Sequence, residues 1–174
     1  MKKVFLTVIL IVLFVTMFTS CKSMEELIKG KVPDLNRAFT SEVIISYDGT
    51  EVKATITRYG TGLWSMVVSE PETMAGLTLN YNDESVVASM GELSFEIPLE
   101  KLESGAVFAT LFRVFDNAAA MNEMSFTQTE DGVRFSGNVN GQDYQLLFDP
   151  AENTLKSISI PEAGIEVKIL STAL

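Results

Sequence analysis

The sequence predicts a mainly β fold with α: an eleven-stranded antiparallel meander with an apolar helix between strands 6 and 7, packed in the concave face of the sheet. Three observations carry this. Short stretches that alternate apolar and polar residues recur from residue 37 to the end of the chain. Turn residues such as Asp48-Gly49, Asn82-Asp83 and Asn140-Gly141 separate them. One stretch, residues 99–123, breaks the period of two.

The first predicted strand covers residues 38–47. Asp48-Gly49 favours a primed turn whose twist matches a hairpin, so residues 51–59 return antiparallel. A glycine corner at 60–62 leads into 63–70, which stops at Pro71, and residues 77–81, 85–90 and 93–97 complete six strands. After the interruption come 124–129, 133–139, 142–149, 154–160 and 165–170. Val133, Phe135 and Val139 alternate there against Arg134, Ser136 and Asn138. The prolines of the meander stand at strand ends, where a missing N–H costs least.

The interrupting stretch reads as a helix. At about 100° per residue, Val107, Phe108, Leu111, Phe112, Val114, Phe115, Ala118 and Ala119 fall within an arc of about 160°, opposite Thr110, Arg113 and Asn117. Left in water, its three phenylalanines would forgo roughly 1.5 to 3 kcal/mol each, so the sheet is their natural cover.

The N-terminal region reads differently. Lys2 and Lys3 precede an apolar run over residues 4–18, shorter than the roughly 20 residues a membrane span needs, and Thr19, Ser20 and Cys21 follow. Residues 1–20 thus have the parts of an export signal. An uncleaved anchor helix with both lysines inside is the other reading, and either one tethers the domain outside the cytoplasm. In residues 21–36, Ser23 and Glu26 form a capping box for a short helix. Gly30 and Pro33 end that helix, and residues 29–36 link it to a single domain at 37–174. Without Lys2 and Lys3 the chain keeps 11 of its 13 basic residues against 23 acidic ones, a net charge of −12. That excludes nucleic acid as a partner and a basic membrane-hugging face. One cysteine cannot form an internal disulfide, so Cys21 requires another role.

Chemistry is marked by what is missing. Histidine is absent, and with it the usual general base and the commonest metal ligand. No Gly-x-Ser-x-Gly elbow occurs, and Gly60-Thr61-Gly62 lacks the third glycine of a nucleotide loop. The carboxylate pairs Glu70 with Glu72, Asp83 with Glu84, and Glu130 with Asp131 all fall in turns. Asp149, Glu152 and Asn153 lack the spacing of an EF-hand. No enzyme, catalytic residue, metal or cofactor is expected. Trp64, Met66 and Val68 share one face of the third strand while Leu63 and Val67 share the other, which suits a strand that is sandwiched or lines a pocket. The methionines at 66, 74, 90, 121 and 124 suit a lipid pocket or a plain core equally.

Phe18-Thr19-Ser20-Cys21 resembles a bacterial lipobox, which implies cleavage before Cys21 and a diacylglyceryl group on its thiol. Several acyl chains, at about 0.8 kcal/mol per buried methylene, make detachment rare. In a cell with two membranes, Lys22 resembles an outer-membrane sorting signal. The order of parts, lipobox, short helix, six strands, apolar helix, five strands, resembles the LolA/LolB-type lipoprotein carrier fold, which mycobacterial lipid-carrying lipoproteins share. Residues 70–98 and 138–161 are similar to segments of small uncharacterised lipoproteins of Gram-positive bacteria.

The resemblance covers residues 37–174 and implies a sheet curled into an unclosed barrel around a hydrophobic cavity. It also implies a membrane-anchored extracytoplasmic lipoprotein, at the cell membrane or, with two membranes, the outer one. Cys21 is then the lipidation site, and a lipid or other hydrophobic ligand sits at Trp64, Met66, Phe108, Phe112 and Phe115. The alternative is a surface interaction or structural lipoprotein with a filled core and no small-molecule ligand. A void smaller than one water, about 30 Å³, between helix and sheet would mark it.

Overall fold

The alternation in the sequence becomes one sheet in the computed structural model, which describes the backbone of residues 28–31 and all of residues 34–82, 84–102 and 106–173. Its strands are β1 (Ile28–Lys31), β2 (Phe39–Tyr47), β3 (Thr50–Gly60), β4 (Leu63–Glu70), β5 (Thr78–Tyr81), β6 (Ser85–Met90) and β7 (Leu93–Pro98), then β8 (Glu123–Thr129), β9 (Gly132–Val139), β10 (Gln142–Asp149), β11 (Thr154–Ile160) and β12 (Ile165–Ala173). Among the described residues one α-helix, α1 (Val107–Ala120), lies between β7 and β8. Strands β2 to β12 are the predicted eleven-stranded antiparallel meander, unclosed and mainly β with α. The last strand pairs the first, Ile165 opposite Tyr47 and Ala173 opposite Thr40, which leaves β7 and β8 on opposite sides of the gap.

β1 corrects the expectation for the region before the domain. Where the link over residues 29–36 was expected to begin, Ile28–Lys31 adds a twelfth strand to the edge of β8. The unpaired N–H and C=O groups of that edge are satisfied by pairing. The capping box at Ser23 and Glu26, the apolar run and Cys21 lie outside the described residues.

One face of the sheet is buried. Cross-strand rows such as Val43–Ala54–Val68 and Phe39–Arg58–Trp64 come from β2, β3 and β4. Tyr144, Leu146, Ile158, Ile160 and Val167 are buried in the other limb. Both limbs meet the same helix: the Phe112 ring lies 5.5 Å from the Tyr81 ring of β5, and Asn117 Oδ1 accepts the Tyr144 hydroxyl of β10 at 2.7 Å. Six strand spacings, about 29 Å at about 4.8 Å each, separate β5 from β10 in the sheet order. Phe112 and Asn117 are only about 7.5 Å apart along the helix axis. The sheet therefore curls around α1.

Curling also explains a departure from the helical pattern. Thr110, expected on the wet face, is buried at 3% exposure, because a helix inside a curved sheet is covered on more than one side. Gly137 is needed for a related reason: the Tyr144 ring lies over it, and a Cβ there would collide with that ring and come within 2.8 Å of Met124 Cε.

Candidate functional site

Two β-bulges shape one end of the curled sheet. The β10–β11 register shifts between Leu147 and Phe148, and the β12–β2 register shifts between Ile169 and Ser171. Bulges bend a strand and re-aim its side chains. Here they flank a cavity of about 160 Å³, whose apolar wall is Leu35, Phe39, Phe115, Phe148, Leu155 and Ile169. Its rim is polar, with Arg37 Nε 3.1 Å from Asp34 Oδ2, and at the end of β12 Thr172 Oγ1 lies 2.8 Å from Oγ of buried Ser41. Gly132 keeps the bulged strand in place: its φ is +145°, and any Cβ would run into the Phe148 carbonyl.

The turn beside the cavity is braced by Asp149. Its carboxylate accepts the Ala151 N–H at 2.8 Å and the Glu152 N–H at 3.3 Å, and it pairs with Lys156 at 3.1 Å. The Ala151 N–H first, then Lys156, holds this carboxyl below its ordinary range. Of the trio considered for calcium, Asp149 thus has its oxygens turned toward backbone N–H groups and an ammonium.

Next to the cavity lies a cationic knot. Arg58 is 1% exposed at an inward position of β3, following Val52, Ala54 and Ile56. It donates to the Arg37 carbonyl, Asn36 Oδ1 and Thr61 Oγ1, each at 3.3 Å, and to Asp116 Oδ1 at 3.4 Å. Its guanidinium carbon stands 5.6 Å from the centre of the Trp64 ring, and its Nε has no hydrogen-bond partner among the described residues. The second oxygen of Asp116 accepts Trp64 Nε1–H at 2.9 Å and the Gly62 N–H at 3.0 Å. One buried cation so ties together the segment that forms a cavity wall, the β3–β4 turn and the helix. Sequence reasoning passed over Arg58 and Asp116; the available signal was a charge occupying the inward parity of an alternating strand.

The residues expected at the cavity take separate places. Trp64, Met66 and Phe112 are fully buried, with the Trp64 and Phe112 rings stacked at 5.2 Å and 15°. Phe115 leans on Trp64 at 5.0 Å and also lines the cavity. Phe108 is half-buried against the core. The cavity therefore lies at the end of the sheet, with Phe115 alone of the five in its wall.

A second apolar feature stands at the β7 edge. Leu93 (64% exposed), Phe95 (62%) and Met90 (43%) share the parity of buried Val86, yet α1 does not cover them. They form a greasy shelf on the inner face at the opposite end from the cavity.

No known family model matches the chain, and no curated protein matches it. Among solved structures it is similar to an uncharacterized conserved protein from Thermus thermophilus, at 11% identity and a TM-score of 0.49 over 80% of each chain. It is also similar to a LolA superfamily protein from Nitrosomonas europaea, at 13% identity and a TM-score of 0.33 over 80% of this chain and 68% of that one.

Proposed function

We propose that the chain is an extracytoplasmic lipoprotein, held to a membrane through acylated Cys21, that takes the apolar part of a small amphiphile into the cavity at the end of its sheet. The cavity carries this reading: about 160 Å³ walled by six apolar side chains under a polar rim. An apolar void of about 150 Å³ accepts a benzene-sized guest. A ring or a short run of methylenes therefore fits, and the rest of the molecule stays at the rim. About six methylenes at about 0.8 kcal/mol each give about 5 kcal/mol, a Kd of order 0.1 mM. Such a site exchanges ligand readily and suits a carrier or sensor better than a store.

The second reading, a surface interaction module, draws support from the stacked rings that fill the space beneath α1 and from the uncovered shelf of Met90, Leu93 and Phe95. One titration separates the two. Protein lacking residues 1–20 and carrying Cys21→Ser is stripped of lipid and titrated with a fluorescent fatty acid. Uptake that is lost in Leu155→Trp and kept in Phe95→Ser establishes the cavity as the site. The reverse pattern moves binding to the shelf, and no uptake at all leaves the interaction module standing.

A further inference from the structure

The direction in which the chain enters the sheet fixes how the cavity meets a membrane. β1 runs antiparallel to β8, with Ile28 opposite Phe126 and Lys31 opposite Glu123. β8 runs from Glu123 toward the turn at Glu130 and Asp131. The chain thus reaches Ile28 from the side of that turn. The same side holds the cavity: Lys156 Nζ donates to the Asp131 carbonyl at 3.4 Å, and its neighbour Leu155 is part of the cavity wall. Cys21 precedes Ile28 by seven residues, a reach of at most about 25 Å. To place Cys21 at the far end of the sheet, the chain would have to double back along β8.

We propose that the cavity opens toward the bilayer that carries the anchor. Its rim, formed by residues 34–37, the turn at 150–153 and the end of β12, is a membrane-facing surface. This rests on the reading of Cys21 as acylated. The partner is a lipid surface of low charge, because Glu130, Asp131 and Glu152 at this end repel anionic headgroups. An apolar ligand then passes between leaflet and cavity without crossing bulk water. The high local concentration of membrane lipid offsets the modest affinity of so small a void.

The test exploits the single cysteine. Once Cys21 is acylated, Glu152→Cys and Glu162→Cys each supply one free thiol. Both positions are exposed, in turns at opposite ends of the seven-residue strand β11, separated by about 23 Å of strand. The lipidated full-length variants are labelled with an environment-sensitive fluorophore and reconstituted into phosphatidylcholine vesicles containing a nitroxide lipid. Quenching is expected to be several-fold stronger at position 152 than at 162. Equal or reversed quenching in protein that co-floats with vesicles overturns the orientation and leaves the anchor intact. Protein that fails to co-float removes the anchor and the orientation together, while uptake of fluorescent fatty acid by the soluble protein is unaffected by either outcome.

Discussion

The interior beneath α1 and the cavity at the end of the sheet use the same kinds of residue to opposite effect. Beneath the helix, Trp64 and Phe112 stack face to face, with Met66 fully buried beside them on β4. At the cavity, Phe39, Phe148, Leu155 and Ile169 come together and leave a hollow, because two bulges turn the strands there and, of α1, Phe115 alone reaches the wall. Phe115 belongs to both regions. Apolar character alone thus does not mark a hollow; strand irregularity where the helix contributes a single side chain does.

Truncation is the strongest way to break this contrast. Phe112→Ala should cost about 3 to 5 kcal/mol in urea unfolding, since it empties a packed centre. Leu155→Ala, bordering an existing hollow and only half-buried, should cost less than about 1.5 kcal/mol while weakening fatty-acid uptake. Equal costs would mean that the two regions are packed alike.

The knot between the regions comes next. Asp116→Asn leaves Arg58 buried without a counter-charge, and removing one partner of a buried pair costs about 3 to 5 kcal/mol. Asp116 is 16% exposed and its bond to Arg58 is long, so about 2 to 3 kcal/mol is expected. Arg58→Met removes the charge and the unpartnered Nε together, and chemical denaturation should show it to be the milder change.

A last effect is one of pH. Burial pushes the Tyr144 phenol from 10.0 up to about 12. The native state then holds its proton where the unfolded chain has lost it. The contribution is complete below about pH 10 and disappears as pH rises toward 12, a loss of about 2 kcal/mol. Denaturation at pH 8 and pH 11 should show this component in the native protein and lack it in Tyr144→Phe.

Much of this architecture was legible in advance. Turn pairs such as Asp48-Gly49 and Asn140-Gly141 gave the strand order, and the periodic positions of Leu111, Phe112, Val114, Phe115 and Ala118 gave the buried face of the helix. Thr110 escaped because a helical wheel assumes one covered side, whereas curvature supplies more. β1 escaped because the break signals at Gly30 and Pro33 are local while the bare edge of β8, nearly a hundred residues away, is not. The cavity was invisible for the same reason. It depends on bulges and on which helix side chain meets a distant turn, and neither leaves a periodic trace. Arg58 was legible from its parity, since an inward charge demands partners from elsewhere in the fold.

The pairing of the last strand with the first has a consequence for biogenesis. Ser41 and Thr172 touch across 131 residues, so the middle of the sheet is a seam sewn by the two ends of the domain. Such distant closure slows folding. The seam cannot be sewn until β12 has left the ribosome. Phe39 and Ser41 of β2 wait for Ile169 and Thr172 of β12, so the greasy hollow comes into being only when the whole domain has been made.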